Sequence, residues 1–273
     1  MIVITGDHRD SVLQYLAPWF QTIPNELIFL DQFDLGRHWK PFKDGIQYGD
    51  QWLPMERVHS VYSRLQPNAK PSRMMDDWVC CLDTWSTKVI NRPKDTLSNI
   101  AKAYQLSLLE IGPLKLIPYQ IIAQQYHPFD TSWIFKSMSG IRSIVNTVSH
   151  EQEWVEEPVL FQQCIQGLNI RVHVIQDRLF VCQINSTQVD YRYDDSHTMS
   201  DIVLPDDIAK ACLNITSSLG LLFSGIDLIK DHDDYYILEV NPQPGFSFFG
   251  PVRTLIADYL MEVLCQEHTM YTV

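Results

Sequence analysis

The stretch FSGIDLIKDHDDYYILEVNPQPGFSFF, residues 223–249, decides how the chain is read. Two apolar runs, GIDLIK and YYILEVN, flank the polar DHDD in the pattern of a β-hairpin. Glu239 and Asn241 stand two apart on the second strand, so their side chains leave the same face. Asp227 interrupts the apolar run of the first strand. Buried carboxylates are costly unless paired or bound to metal, so three oxygen-bearing side chains here ask for a cation. Asp227 joins the other two only if the register sets it opposite Glu239. That calls for an odd-numbered loop, for instance His232, Asp233 and Asp234 with Asp234 in the left-handed position. A two-residue turn would bring Leu238 opposite Asp227 and send Glu239 to the other face. With the register in place, two carboxylates and one amide oxygen form the incomplete oxygen cage that suits Mg²⁺, substrate phosphates and waters supplying the rest. The plainer reading is a solvent-facing hairpin edge with ordinary charges.

The remainder of the chain frames that hairpin. Its 273 residues, 45% hydrophobic and 20% charged, have the composition of a folded globular protein with room for two or three small domains. A formal charge of −12 argues against a general nucleic-acid binder, which needs a basic face, yet leaves room for a local cationic pocket. No uninterrupted apolar run reaches about 18 residues, so no membrane span is expected. MIVITGD reads as a buried strand without signal-peptide features. Cys80, Cys81, Cys164, Cys182, Cys212 and Cys265 include no C-x-x-C, and reduced thiols in a cytoplasmic protein are expected.

Residues 1 to about 65 alternate strand and helix signals, IVIT, SVLQYLAPWF, ELIFLD and RVHSVYSRL, which favours a mostly parallel sheet. MMDDWVCCLDTWSTKV reads as one helix, and NRPKDTLSNIAKAYQLSLLEIG as a loop and a helix closed by Gly112 and Pro113. KLIPYQIIA is a strand interrupted at Pro118. WIFKSM, IVNTV, VLFQQCI and IRVHVIQDRLFVCQIN follow as strands, with the turn SMSGIRS after the first. DDIAKACLNITSSLG is a helix before the hairpin, VRTLIADYLMEVLCQE an amphipathic helix after it, and residues 193–201 a solvated acidic loop.

GIDLI and YYILEVNPQPGF together resemble the metal-binding end of the ATP-grasp fold, an α+β architecture in which two lobes grip ATP. Other parts of that fold follow in order. Lys102 in SNIAKAYQL and Lys136 in WIFKSMSGI stand where the family places lysines near the ATP phosphates, and Ser139-Gly140 resembles its glycine-rich lid with a single glycine. VLFQQCIQG is similar to the strand and hinge that hold adenine, through Gln163, Cys164 and Ile165, with Gln163 replacing the family's usual acid and Asn169 near a frequent ribose-side acid. Arg171 in NIRVHVI matches an arginine that commonly precedes the following strand, and Arg192 in QVDYRYDD one that faces the transferring phosphate or acyl-phosphate, which makes the two the catalytic candidates. The resemblance spans roughly residues 90 to 265 and implies a small N-terminal α/β domain over 1–90, a central lobe with lid over 91–160 and a C-terminal lobe with the metal site over 161–273. Within that fold the chain is most similar to ribosomal-protein glutamate ligases and to microviridin-type (graspetide) peptide ligases, the latter through PMERVHSVYSRL, NRPKDTLSNIAKAYQL and QINSTQVDYR.

What the resemblance implies is an ATP- and Mg²⁺-dependent carboxylate–amine (or hydroxyl) ligase that forms an acyl-phosphate on a peptide or amino-acid-like substrate, as a homodimer or homotetramer. Asp227, Glu239 and Asn241 would hold the metal. A small-molecule ligase of secondary metabolism and a nucleotide-binding partner without catalysis are the other readings. None of the nine histidines falls in H-E-x-x-H, and G-x-S-x-G, Walker and G-x-G-x-x-G motifs are absent from the sequence. Cys164 reads as a small apolar residue rather than a nucleophile. Trp39 or Trp52 is a candidate for a peptide-docking surface, and Phe246, Phe248 and Phe249 for an acceptor pocket or a plain cap on the sheet.

Overall fold

The computed structural model describes residues 1–66, 73–99, 101–109, 112–122, 132–138, 146–147, 158–186 and 196–266. They belong to two compact units, one of Met1–Thr96, Leu221–Phe223 and Gly245–Val273, the other of Leu97–Gly220 and Ser224–Pro244. Among the described residues no helix is long and apolar enough to cross a membrane.

The first unit runs β1 (Ile2–Gly6), α1 (Ser11–Phe20), β2 (Leu27–Asp31), β3 (Trp39–Phe42), β4 (Gly45–Tyr48), β5 (Gln51–Pro54), β6 (Ser60–Arg64), α2 (Arg73–Thr84) and β7 (Lys88–Ile90). Its parallel sheet has the order β2-β1-β6-β7, as the strand and helix alternation leads one to expect. The Asp10 carboxylate starts α1 by accepting the N–H groups of Val12 and Leu13. β3, β4 and β5 form a separate antiparallel meander. Trp78 stands edge-on to Trp39 and Trp85, with ring centroids 5.3 and 5.4 Å away. This aromatic core bears on one expectation: Trp39 is 1% exposed and its Nε1 donates to the Asp31 carbonyl, which makes it a core residue, whereas Trp52 is exposed.

A correction concerns residues 74–89. The helix stops at Thr84, and Lys88–Ile90 joins the sheet instead. The Arg92 guanidinium takes up the carbonyls of Leu82, Trp85 and Thr87 where the helix ends. Beyond them, β-branched Val89 and Ile90 pack better on a pleated surface than in a further helical turn.

The second unit contains α3 (Lys102–Leu108), β8 (Leu114–Leu116), β9 (Tyr119–Ile122), β10 (Trp133–Ser137), β11 (Asn146–Thr147), β12 (Val159–Gln163), β13 (Leu168–Ile175), β14 (Arg178–Asn185), β15 (Thr198–Asp201), α4 (Asp206–Ser218), β16 (Phe223–Asp231) and β17 (Asp234–Asn241). One sheet has the order β11-β10-β12-β9, the other β15-β14-β13-β16-β17-β8. Pro118, which lacks an N–H, is the point of transfer: β8 before it pairs with β17, and β9 after it pairs with β12. Residues 198–201, expected in a solvated loop, form instead an edge strand on β14.

The helix α5 (Arg253–Cys265) returns to the first unit. Ser60 Oγ donates to the Leu264 carbonyl at 2.7 Å, and Lys88 Nζ to those of Val263 and Gln266 at 2.7 and 2.8 Å. The carbonyls that a helix C-terminus leaves unpaired are thus taken up by the sheet it covers.

Candidate functional site

Asp227 stands opposite Glu239 and Gly225 opposite Asn241, so the three oxygen-bearing residues share one face of the hairpin. The route to that register differs from the expected one. Asp231 pairs with Asp234, leaving a two-residue turn of His232 and Asp233, and the left-handed residue is His232 (φ 52°) rather than Asp234. Leu228 still pairs with Ile237, but the next partner of Asp227 is Glu239. A β-bulge at Leu238 supplies the extra residue that the turn lacks.

Arg171, on the neighbouring strand β13, binds the Asp227 carboxylate through Nη1, 2.7 Å from each oxygen. The guanidinium is 5% exposed, and its Nε lies 3.5 Å from Nε2 of the fully buried His173. Gly225 makes this placement possible. A Cβ there would lie 2.4 Å from Arg171 Nη2, 2.7 Å from its Cζ and 2.7 Å from Pro244 Cβ. The arginine occupies the volume that a side chain at 225 would fill. Sequence spacing holds no sign of this long-range fit.

The strand bearing Glu239 and Asn241 is fixed from its other edge. β8 pairs only with Tyr235, Tyr236 and Ile237. Beyond its end, the Gln105 side chain from α3 takes over: Nε2 donates to the Val240 carbonyl at 2.7 Å and Oε1 accepts the Val240 N–H at 3.0 Å. One buried amide thus acts as a length of strand between two of the oxygen-bearing residues. Asn241 Oδ1 also accepts the Gln243 N–H at 2.9 Å, which orients it and leaves a second lone pair.

One turn before Gln105 on α3, Lys102 reaches β10, where its Nζ donates to the Ser137 carbonyl at 3.0 Å, beside Lys136. Lys136 is buried at 7% exposure and pairs with Leu160, while Ile134 pairs with Gln162. Lys136 and Gln162 therefore share a sheet face. Gln162 is fully buried, and its amide makes no hydrogen bond among the described residues. In the hinge, the N–H groups of Gln163 and Cys164 already serve the carbonyls of Pro118 (3.0 Å) and Ser132 (2.7 Å). Ile165 is left as the member of the three whose N–H meets no other backbone carbonyl among the described residues. Burial pushes the Cys164 thiol up, in keeping with an inert side chain. Ser139, Gly140 and Arg192 lie outside the described residues.

Residues 113–247, from β8 through the hairpin, match the family model of the ATP-grasp domain. This part of the chain is an ATP-grasp domain. Among similar solved structures, the macrocyclase MdnC of Microcystis aeruginosa MRC, bound with precursor peptide MdnA, is 20% identical with a TM-score of 0.76, over 97% of this chain and 99% of that one. The ATP-grasp ligase PsnB, complexed with a phosphomimetic variant of a minimal precursor, Mg and ADP, is 21% identical with a TM-score of 0.77, over 96% and 98%. A tetrahydromethanopterin:alpha-L-glutamate ligase of Methanocaldococcus jannaschii is 36% identical over 64 residues, 23% of this chain and 22% of that enzyme. The match thus spans about a fifth of the length of that curated relative.

For an ATP-grasp site, the donor set fits a hard divalent cation. Two carboxylates and an amide oxygen share a face, the oxygen-rich donor set that Mg²⁺ takes. Gly225, Gln105 and Gln162 are the residues of this ATP-grasp unit that the sequence reading missed. The glycine two before Asp227 was the sole visible hint.

Proposed function

We propose that the protein is an ATP- and Mg²⁺-dependent ligase that joins a carboxylate to an amine, or to a hydroxyl, on a peptide substrate. The observation that carries this reading is the common face of Asp227, Glu239 and Asn241 beside the buried Arg171. Precursor peptides bound to MdnC and PsnB, and Mg with ADP on PsnB, support the choice of peptide and cofactors. Residues 1–90 would form the N-terminal domain, 91–160 the central lobe and 161–273 the C-terminal lobe.

In this mechanism the γ-phosphoryl of ATP passes to the substrate carboxylate, giving an acyl-phosphate and ADP, and the nucleophile then displaces phosphate. Mg²⁺ held by Asp227, Glu239 and Asn241 would neutralise charge that moves along the β,γ-bridge. Lys102 and Lys136 would donate to phosphate oxygens, with Ser139 and Gly140 as the lid residues. The Gln163–Ile165 segment holds adenine, with the Ile165 N–H as donor. Arg171 orients Asp227, and Arg192 faces the acyl-phosphate, whose oxygens suit a planar fork. The test is ADP formation in the presence of candidate acceptor peptides. Glu239→Ala is expected to abolish it while the thermal unfolding profile is retained, because no other carboxylate pairs with Asp227 across the hairpin. Near-normal turnover in that variant overturns the assignment.

A further inference from the structure

Far from this site in the chain, the first unit carries an open sheet edge. β2 is the outer strand of β2-β1-β6-β7. The Glu26 carbonyl accepts the Ile2 N–H at 2.7 Å. In a parallel ladder both polar groups of a residue face one side and successive residues alternate, so Ile28 and Leu30 bond to β1 while Leu27, Phe29 and Asp31 turn outward. The Asp31 carbonyl is used by Trp39 Nε1 at 2.7 Å, in agreement with this count. Leu27 and Phe29 keep outward N–H and C=O groups.

A cavity of about 590 Å³ lies along this edge. It touches Leu27, Ile28 and Phe29 in succession. Side chains of a strand alternate between faces, so a cavity that meets three in a row meets the strand at its edge. Glu26, Asp31 and Asp34 line it, with no lysine or arginine among the described lining residues. Their present partners are Arg57 for Glu26, His8 for Asp31 and His38 for Asp34, all on exposed side chains. Tyr48, 39% exposed, adds an aromatic ring to the wall.

We infer that the free edge of β2 binds an extended peptide segment bearing lysine or arginine, which adds to the sheet as a further strand. Main-chain hydrogen bonds to Leu27 and Phe29 give the pairing, and the carboxylates select the cationic side chains. A second copy of this chain is disfavoured as the occupant, because it would set the same three carboxylates against themselves. The inference is independent of the ligase reading and survives its failure.

The experiment uses the full chain, isotopically labelled, with acetyl-Lys-Val-Lys-Val-Lys-amide as probe at pH 8 and low salt. Amide shifts centred on Leu27 and Phe29 are expected, with little response to the Glu-for-Lys counterpart. Phe29→Pro removes one outward N–H and should weaken binding by about ten-fold or more. As that change also touches the sheet, Asp34→Asn, on a half-exposed side chain, provides a second measure: weaker binding with a shallower salt dependence. Equal affinity for both peptides, shifts elsewhere, no binding at millimolar probe, or a dimer lost in Phe29→Pro would each overturn the inference.

Discussion

Gly225 and Arg171 act as one unit although they stand on different strands. The φ of Gly225 is not positive, so crowding alone sets the cost of a side chain there. Gly225→Ala puts a methyl group 2.4 Å from Arg171 Nη2, and either the guanidinium leaves Asp227 or the hairpin shifts. Displacements of about 1 Å at reacting groups cost about 10²-fold in rate, which is the loss expected in ADP formation. In an Arg171→Ala background the same change should cost less, because only the contact with Pro244 Cβ remains, and a double-mutant cycle on the rate reads that coupling directly. His232 gives a milder case. It is the first of two turn residues and the only one of them with positive φ, the sign pattern of a turn that favours glycine there. His232→Gly is expected to stabilise the chain by about 0.5–1 kcal/mol, seen as a raised urea midpoint without change in activity.

At the scale of elements, the hairpin shows what the sequence discloses and what it hides. The common face of Glu239 and Asn241 follows from the two-residue period of a strand, and the turn composition marks the reversal. The alignment of Asp227 does not follow, because turn length and bulge compensate each other and no local pattern announces the bulge at Leu238. The same limit applies to residues 74–89, where apolar spacing continues smoothly across the helix end at Thr84 and three carbonyls satisfied by Arg92 decide the stop. Gln105 was hidden for a related reason: it is a polar residue on a helix whose partner lies on β17. Gln105→Leu would leave the Val240 N–H and C=O buried without these bonds, at a cost of about 2–4 kcal/mol. The expected outcome is a lowered melting temperature and a raised Mg²⁺ requirement for ADP formation, because the strand between Glu239 and Asn241 loses its outer support. An unchanged Mg²⁺ dependence would limit Gln105 to a packing role.

Across the whole molecule, the charge of −12 coexists with arginine and lysine side chains buried in the second unit, where Arg171 and Lys136 are 5% and 7% exposed. Bulk composition reports the surface and is silent about such interior cations. The first unit has a different dependence. Its sheet and core come from the first 96 residues, yet α5 covers it with Ile256, Ala257, Tyr259, Leu260, Met261, Val263 and Leu264 buried. A fragment of residues 1–96 is expected to show no cooperative unfolding by circular dichroism. Adding a peptide of residues 250–266 should restore near-ultraviolet signal from the tryptophan core. A cooperative melt of the fragment alone would refute this. Because α5 follows the entire second unit in chain order, a nascent chain leaving the ribosome carries the first unit with its apolar underside uncovered until the second has emerged. Chaperones that shield exposed apolar surface have their longest window of access to this protein at its N-terminal sheet.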